Sequence, residues 1–317
     1  MKPKKGEQIM GEPLVDRSLQ GKVALVAGAT RGAGRAIAVE LCRAGAFVYA
    51  TGRSSRVSGP SDMDRPETIE ETGELMLATG GSGGALRVDH LDVDAVADLV
   101  ARIAAERGRL DILVNDIFGG HNYTQWDKKL WEHDLAGGLY MLRMGVHTHL
   151  ITAAKALPLM LRTGNGLVVE MTDGTSEYNQ AFRRNVGFYY DLVKANVARI
   201  ALALAAELED EPCTAVAVTP GWMRSEQMLE NFGVTEANWR DALMREPHFC
   251  ISETPTYVAR GIVALAADPT GRRQYAGQVL SSERGLGPHL RRDGQRWNAT
   301  GLLALHGRGT GPGPARN

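Results

Sequence analysis

Short apolar runs alternate with amphipathic helical patterns along most of the chain. The apolar runs cover residues 23–27, 47–51, 85–88, 110–114, 167–171, 214–218 and 278–281. Helical patterns cover residues 35–44, 94–106 and 190–208, and a weaker one covers residues 67–78. Uninterrupted apolar runs are typical of strands that helices cover on both faces. The alternation therefore predicts βαβ units and a three-layer α/β fold around a single, mostly parallel sheet of roughly seven strands.

The same pattern places this sheet in one domain, residues 21–284. Residues 1–20 are polar and are predicted to form a flexible N-terminal segment. Residues 285–317 are rich in glycine and proline and are predicted to form a disordered tail. We expect no chemistry in this tail.

Composition and charge narrow the function classes. The chain has 317 residues, 44% of them hydrophobic and 23% charged, which is the profile of a globular protein with a sizeable core. Its formal net charge of −1 favours neither a nucleic-acid nor a membrane partner. Cys42, Cys213 and Cys250 lie far apart, with no metal or disulfide spacing. Without a signal-peptide pattern or a long apolar run, we expect a cytoplasmic protein that has no metal site.

A glycine-rich turn follows the first predicted strand. It contains Gly28, Gly32 and Gly34, and a predicted helix begins directly after it. Glycine permits positive φ and lets the backbone approach a ligand closely. The N-terminal N–H groups and the dipole of the helix suit a pyrophosphate. This strand–turn–helix context predicts a dinucleotide site, and the alternative is a tight turn without a ligand.

The end of the second predicted strand indicates which dinucleotide binds. Folds that prefer NAD usually place a carboxylate there, on the ribose 2′-OH. The sequence instead reads Ala50-Thr51-Gly52-Arg53, and Arg31 lies inside the glycine turn. Two guanidinium groups can pair a 2′-phosphate bidentately, so we expect NADP(H), unless both arginines are solvated surface residues.

Tyr190 and Lys194 lie four residues apart in the helical pattern after the fifth strand. This spacing places both side chains on one helix face. A nearby ammonium group favours the phenolate, so we expect Lys194 to lower the pKa of Tyr190. The pair then suits proton exchange with an alcohol or carbonyl oxygen.

With these motifs, residues 20–285 resemble the short-chain dehydrogenase/reductase (SDR) family and its Rossmann-like fold. The resemblance rests on Gly28-x-x-x-Gly32-x-Gly34, on Asn115 after the fourth strand, on Tyr190-x-x-x-Lys194 and on Pro220-Gly221 after the sixth strand. The Ser252-Glu253-Thr254 stretch is similar to the dehydrogenase/reductase member-1-like branch.

The resemblance implies a role for each matching residue. Lys194 binds the nicotinamide ribose, and residues 226–253 form the segment that covers the substrate. Homodimers or homotetramers through helices near residues 135–160 and 190–208 are implied as well. The cofactor-binding residues implied are Gly28, Thr30, Arg31, Gly32, Ala33, Gly34, Arg53, Asp89, His90, Asn115, Lys194, Pro220, Gly221, Met223 and Ser225.

The sequence departs from the family pattern near the expected reaction centre. Asp173 stands where the family has a serine at the end of the fifth strand, and the loop from there to Tyr190 is longer than usual. Asp116 follows Asn115 in place of a second asparagine. The asparagine that relays protons in many members is missing near Met144 to Val146.

Three interpretations of Asp173 stay open at this point. A protonated Asp173 donates a hydrogen bond as serine does. An ionised Asp173 binds a cationic or polyhydroxylated substrate and keeps the Tyr190 phenol protonated against the effect of Lys194. In the third, Asp173 turns away to cap a turn, and a hydroxyl of Thr172, Thr175 or Ser176 replaces the serine.

Aromatic and histidine residues crowd the segment after the fourth strand. Loops beyond the carboxyl ends of strands form the ligand crevice of an open α/β sheet. These residues therefore line a pocket for a bulky, partly aromatic substrate, or they pack a local cluster or a subunit contact. They are His121, Tyr123, Trp126, Trp131 and His133.

The sequence thus favours an NADP(H)-dependent oxidoreductase that acts on a small-molecule carbonyl or alcohol, with carbonyl reduction as the favoured direction. Its catalytic candidates are Tyr190, Lys194, Asp173 and Thr172. Two alternatives remain. The altered serine and asparagine positions are compatible with a dehydratase, isomerase or cyclase that shows no net redox turnover. A nucleotide-sensing binding protein is also compatible with the motifs, but such a protein has no need of a phenol with a shifted pKa.

Overall fold

A computed structural model describes residues 17–282. Every strand predicted from an apolar run is present in it, with bounds that shift by at most three residues. The strands are β1 (Val23–Ala27), β2 (Phe47–Gly52), β3 (Ser82–Arg87), β4 (Ile112–Asn115), β5 (Gly166–Met171), β6 (Cys213–Thr219) and β7 (Val279–Ser281). The α-helices are α1 (Gly32–Arg43), α2 (Ile69–Ala78), α3 (Val93–Arg107), α4 (Leu135–Leu142), α5 (Thr148–Thr163), α6 (Phe188–Glu207), α7 (Glu226–Phe232) and α8 (Pro255–Ala267).

The strands form one sheet in the order β3-β2-β1-β4-β5-β6-β7. Every neighbouring pair is parallel, so the predicted mostly parallel sheet is parallel throughout the described residues. The Rossmann-like α/β fold is therefore confirmed. The strand order reverses between β1 and β4, and such a switch point is where open α/β sheets bind ligands.

Two apolar layers cover the sheet. Alternate residues of β1 point to opposite faces: Ala24 and Val26 pack with α1, α2 and α8, while Val23 and Leu25 pack with α3 and α5. Because both faces are buried, the strands lack the alternation of a half-exposed strand. The buried pattern of β1, β5 and β6 is continuous, which explains why their apolar runs predicted strands.

The predicted terminal segments fall mostly outside the described residues, namely residues 1–16 and 283–317. Leu19 is the exception, because it is fully buried against the layer that contains α1. The packed chain therefore begins before the expected boundary at residue 21. Among the helices of residues 17–282, none combines the length and the apolar character that a membrane crossing requires.

A buried polar cluster joins β4, β5 and α5. Glu170 is fully buried, and its carboxyl accepts a hydrogen bond from Asn115 Nδ2 at 2.9 Å. His149 Nδ1 lies 2.5 Å from the other Glu170 oxygen, while its Nε2 lies 3.0 Å from the Ile117 carbonyl oxygen. The carbonyl is only an acceptor, so Nε2 donates to it and a single proton lies between Nδ1 and Glu170. The cluster thereby fixes the loop after β4.

Replacing Glu170 tests how much this cluster stabilises the fold. Glu170→Leu leaves His149 Nδ1 without its buried partner and removes the nearer acceptor of Asn115 Nδ2, so we expect it to lower the free energy of unfolding by about 3 kcal/mol. Glu170→Gln is the matched control, because the amide still donates to His149 and accepts from Asn115, and its loss should be below about 1 kcal/mol. Urea unfolding followed by circular dichroism measures both variants. Equal losses would mean that charge, rather than hydrogen bonding, holds the cluster together.

Candidate functional site

A cleft of about 1400 Å³ lies at the carboxyl ends of the strands. It brings together the four catalytic candidates and all the implied cofactor-binding residues except Gly34 and Asn115. Asn115 lies within β4 and belongs to the buried cluster with Glu170. Gly34 lies beneath the turn, where a side chain would overlap the Gly28 carbonyl oxygen.

The glycine turn requires its glycines for steric reasons. Gly28 has φ of +89°, and a Cβ there would overlap the Asp116 carbonyl group. Gly32 has φ of +57° and no atom within 3.9 Å of its would-be Cβ, so its open side faces the cleft. The turn thus combines close packing on β4 with an exposed backbone edge, and this edge can accommodate a diphosphate.

The N-terminus of α1 already binds an anionic group of the chain itself. The Gly32 N–H donates to Glu226 Oε2 at 2.9 Å, and Arg35 lies 3.5 Å from the other oxygen of the same carboxylate. Glu226 is the first residue of α7 and lines the cleft. A carboxylate at this point marks the site as one that favours negative charge.

Arg31 and Arg53 line the end of the cleft next to β2, as the sequence predicted. Each contacts a carboxylate from the segment between β2 and α2. Arg31 Nε donates to Glu67 at 2.9 Å, and Arg53 Nη2 donates to Asp62 at 2.5 Å. Burial alone would raise the pKa of Glu67, but hydrogen bonds from Arg65 and Arg31 lower it to about 2. An incoming phosphate therefore competes with carboxylates of the chain.

Asp89 and His90 follow β3 at the same end of the cleft. His90 is buried, and its two ring nitrogens lie 2.8 Å and 2.7 Å from the hydroxyls of Thr51 and Thr152. Burial lowers the pKa of His90 to about 3, so the ring is neutral and fixed between two hydroxyls. Asp89 accepts a hydrogen bond from the Leu91 N–H at 3.0 Å.

Tyr190 lies in the first turn of α6, and its hydroxyl donates to Asp173 Oδ2 at 3.2 Å. The side chain of Asp173 therefore points to the reaction centre and does not turn away. Burial and the adjacent Asp173 carboxylate raise the pKa of Tyr190 above its ordinary value. This direction is opposite to the expected effect of Lys194, because desolvation and a negative neighbour both disfavour the phenolate.

Arg183 is a partner of the candidate site residue Asp173 that the sequence analysis missed. It comes from the long loop between β5 and α6, and its side chain is only 3% exposed. Its Nη1 donates to Asp173 Oδ2 at 3.1 Å, and its Nε donates to Asp191 Oδ1 at 2.6 Å. No motif marks Arg183, since it packs against residues eight and ten positions away through an irregular loop.

Lys194 lies one turn after Tyr190 and faces the same cleft. Its ammonium group is 4.5 Å from the ring centroid of Phe118 and 5.9 Å from that of Tyr190. Burial lowers the pKa of Lys194, while Asp173 and Asp116 oppose that shift. Burial also raises the pKa of Asp116 to about 6, against the effect of Lys194. Asp116 is thus a second titratable group of the cleft, at the position of the family's second asparagine.

Thr172 fixes the position of α6 against β5. Its hydroxyl donates to the Lys194 carbonyl oxygen at 2.7 Å, and the residue is 3% exposed. This bond connects the strand end that carries Asp173 to the helix that carries Tyr190 and Lys194. Since its proton is already used, Thr172 is available to a ligand only as an acceptor.

The segment 226–253 packs over one side of the cleft through an aromatic cluster. Phe249 is fully buried, and its ring lies 5.2 Å from Trp222 and 4.6 Å from Phe232, between centroids. The Gly221 N–H donates to Glu253 at 3.0 Å, which ties the end of the segment to the predicted Pro220–Ser225 stretch. Its members that line the cleft are Glu226, Gln227, Met228 and Ile251.

Aromatic residues form the opposite wall. Phe118 and Trp126 lie 5.4 Å and 6.1 Å from Tyr190, between ring centroids, and both line the cleft with His121 and Tyr178. The other residues of the predicted aromatic group, Tyr123, Trp131 and His133, do not line it. Tyr123 and His133 pack locally against Tyr140 and Tyr189. Some residues of this group therefore line the cleft and others pack in a local cluster, so each sequence interpretation fits part of the group.

Comparison with known proteins matches residues 22–236 to the short chain dehydrogenase family. Mouse (Mus musculus) dehydrogenase/reductase SDR family member 1 is 29% identical over 269 residues, which cover 83% of this chain and 80% of the mouse protein. The 7alpha-hydroxysteroid dehydrogenase of Clostridium sardiniense is 27% identical over 255 residues, which cover 80% of this chain and 90% of that enzyme.

Solved structures agree in fold. A dehydrogenase/reductase from Sinorhizobium meliloti 1021 superposes with a TM-score of 0.66 at 21% identity, over 84% of this chain and 95% of that chain. Proteins of the matched family are oxidoreductases that use a nicotinamide cofactor on small molecules. The family model, the fold and the cleft lead to one assignment: the chain belongs to the short-chain dehydrogenase/reductase family, in the branch similar to dehydrogenase/reductase SDR family member 1.

Proposed function

We propose that the chain reduces a carbonyl group of a small molecule with NADPH, and that Tyr190 is the general acid. The observation that carries this proposal is the Tyr190 hydroxyl, which lies in the cleft 3.2 Å from the Asp173 carboxylate. Burial and this carboxylate raise the pKa of Tyr190, so the phenol keeps its proton at neutral pH. A protonated phenol serves reduction, because the developing alkoxide takes its proton, whereas alcohol oxidation needs the phenolate.

The glycine turn, the N-terminus of α1 and Lys194 would hold the cofactor, with Arg31 and Arg53 at its adenosine end. Bound NADPH would supply the hydride for the carbonyl carbon, and Tyr190 would donate its hydroxyl proton to the carbonyl oxygen. Lys194 then sustains the return of a proton to Tyr190 from solvent. The positive groups at the end of β2, where an NAD site has a carboxylate, support NADP(H) over NAD(H).

Of the alternatives, the ordered Tyr190–Asp173–Arg183 arrangement favours an enzyme over a nucleotide sensor, because a sensor needs no polarised phenol. A homodimer or homotetramer is part of the proposal. Leu135, Leu139 and Leu150 on α4 and α5 are 62%, 49% and 48% exposed, as interface leucines of a separated subunit would be. The cytoplasmic location expected from the sequence stays a prediction.

Two opposite substitutions test the cofactor preference. We expect Arg53→Ala to weaken NADPH binding about tenfold, because it removes a charge-assisted pair worth about 1.4 kcal/mol, and to leave NADH binding nearly unchanged. Asp62→Asn should instead tighten NADPH binding, since it frees Arg53 from its carboxylate. Titration of cofactor fluorescence measures both Kd values for each variant. Equal affinity of the unmodified protein for NADPH and NADH would refute the preference.

Glu226→Ala tests the anion site at the N-terminus of α1. Removing the carboxylate from the Gly32 N–H should tighten NADPH and NADH by the same factor, about three- to fivefold, because a charge at a helix N-terminus contributes up to about 1 kcal/mol. The same titration detects it. A gain for NADPH alone would place the Glu226 charge near the 2′-phosphate instead of the diphosphate.

Tyr190→Phe tests the general acid. We expect the rate constant of reduction to fall by about 10³-fold while NADPH affinity is retained, because only the proton donor is lost. Tyr189→Phe is the matched control on the neighbouring residue and should keep full activity. The raised Tyr190 pKa further predicts that the reduction rate stays flat to about pH 10 and falls only above it, since the acid form is lost as pH rises through that pKa. Reduction by Tyr190→Phe at the rate of the unmodified protein would exclude this role.

A further inference from the structure

The carboxylate at the end of β5 changes what the site can recognise. Relatives of this chain place a serine there, and a serine hydroxyl donates a hydrogen bond to the substrate carbonyl oxygen. Asp173 lies in the cleft with its side chain 41% exposed. An ionised carboxylate is an acceptor only, so it cannot replace that donor. A substrate carbonyl oxygen next to the Asp173 carboxylate would face another acceptor and would find no hydrogen-bond donor there.

The hydrogen bonds of Asp173 leave one of its oxygens to the cleft. Both the Tyr190 hydroxyl, at 3.2 Å, and Arg183 Nη1, at 3.1 Å, donate to Oδ2. Among the side chains of residues 17–282, none is found to donate to Oδ1. Arg183 is buried and also donates to Asp191. It therefore acts as a positioning residue that fixes the orientation of the Asp173 carboxylate. Within residues 17–282, Oδ1 is therefore the Asp173 oxygen without a side-chain donor, and it belongs to a carboxylate that lines the cleft beside the Tyr190 hydroxyl.

Local charge decides which kind of donor fits. The Asp173 and Asp191 carboxylates are balanced by the Arg183 guanidinium and the Lys194 ammonium. Asp116 is a third carboxyl near Lys194, and burial raises its pKa to about 6. A cationic ligand at Asp173 would lie close to the Arg183 guanidinium and the Lys194 ammonium, and both would oppose its binding. A neutral hydroxyl satisfies Oδ1 without adding charge, at the strength of a charge-assisted hydrogen bond.

Resting on the function proposed above, we propose that Asp173 Oδ1 binds a hydroxyl group on the carbon next to the reacting carbonyl. The two oxygens of an α-hydroxy ketone lie about one hydrogen-bond length apart, which is close to the 3.2 Å between the Tyr190 hydroxyl and Oδ2, the other oxygen of the same Asp173 carboxylate. The carbonyl oxygen then accepts from Tyr190 while the neighbouring hydroxyl donates to Asp173. The aromatic wall of Phe118, Trp126 and Tyr178 suits an aryl or other bulky apolar body.

The experiment compares three matched ketones with NADPH: acetophenone, 2-hydroxyacetophenone and 2-aminoacetophenone in its ammonium form. For the unmodified protein we expect kcat/KM for the hydroxy ketone to exceed that for acetophenone by at least about tenfold, because acetophenone would cover the Asp173 carboxylate without offering it a donor. In Asp173→Ser the ratio should fall to about one or invert, since serine again donates to a bare carbonyl. Asp173→Asn keeps the shape of the side chain, and thermal melting verifies that both variants fold.

Each outcome decides the proposal. A preference for the hydroxy ketone that persists in Asp173→Ser, or equal kcat/KM values in the unmodified protein, overturns it. A kcat/KM for the ammonium ketone that exceeds the value for the hydroxy ketone overturns the proposed neutral hydroxyl donor and favours a cationic substrate.

A binding arm separates this proposal from the proposed reductase activity. Tryptophan fluorescence, to which Trp126 and Trp222 of the cleft contribute, reports the binding of 1-phenyl-1,2-ethanediol and of 1-phenylethanol, and neither measurement needs turnover. Tighter binding of the diol, lost in Asp173→Ser, supports the Asp173 site even if no ketone is reduced, in which case only the reductase proposal fails. Equal binding of the two alcohols overturns the Asp173 site, whatever the activity.

Discussion

Parallel strands place all their carboxyl ends at one edge of the sheet, and the contacts of the candidate site depend on that constraint. The turn after β1, the arginine after β2, Asp116 after β4 and Asp173 after β5 are far apart in sequence but neighbours at this edge. Two close approaches fix the edge itself. The Gly28 backbone packs on the Asp116 carbonyl group, and the buried Glu170–His149 pair holds the carbonyl of the next residue, Ile117. The cleft is therefore shaped by backbone packing before any ligand arrives.

Within this frame, the proton on Tyr190 is set by a balance between neighbours. Lys194 is separated from the phenol by ring contacts, 4.5 Å from the Phe118 centroid, while the Asp173 carboxylate is in direct hydrogen-bond contact. A direct negative neighbour in a partly buried site outweighs a cation that lies farther away. The same substitution that removes the usual serine donor thus also strengthens the hold of Tyr190 on its proton. If the proposed function holds, the first effect would favour a substrate that brings its own donor, and the second would favour the acid form of Tyr190.

The sequence predicted the sheet because buried parallel strands leave continuous apolar runs, and it predicted the cleft because SDR motifs stand at fixed places after those strands. The helix spacing alone predicts that Lys194 lowers the pKa of Tyr190, whereas burial and Asp173 raise it, which is the direction that the interpretation with an ionised Asp173 predicted. Arg183 lay beyond prediction, because its loop has no periodicity that indicates which side chains turn inward. Asn115 lies in the strand itself, and its pairing with Glu170 depends on register between β4 and β5, which no local pattern reveals.

The cofactor-binding groups share one further property. Arg53, Arg31 and the Gly32 N–H are each paired with a carboxylate of the chain: Asp62, Glu67 and Glu226 respectively. These carboxylates lie on two segments, the one between β2 and α2 and the one that begins α7. A dinucleotide phosphate therefore exchanges one anion for another and gains less than it would from free cations, because the pairs must separate first. If the proposed cofactor binds there, this exchange would weaken its binding and would couple both segments to it, since each carboxylate would have to leave its partner.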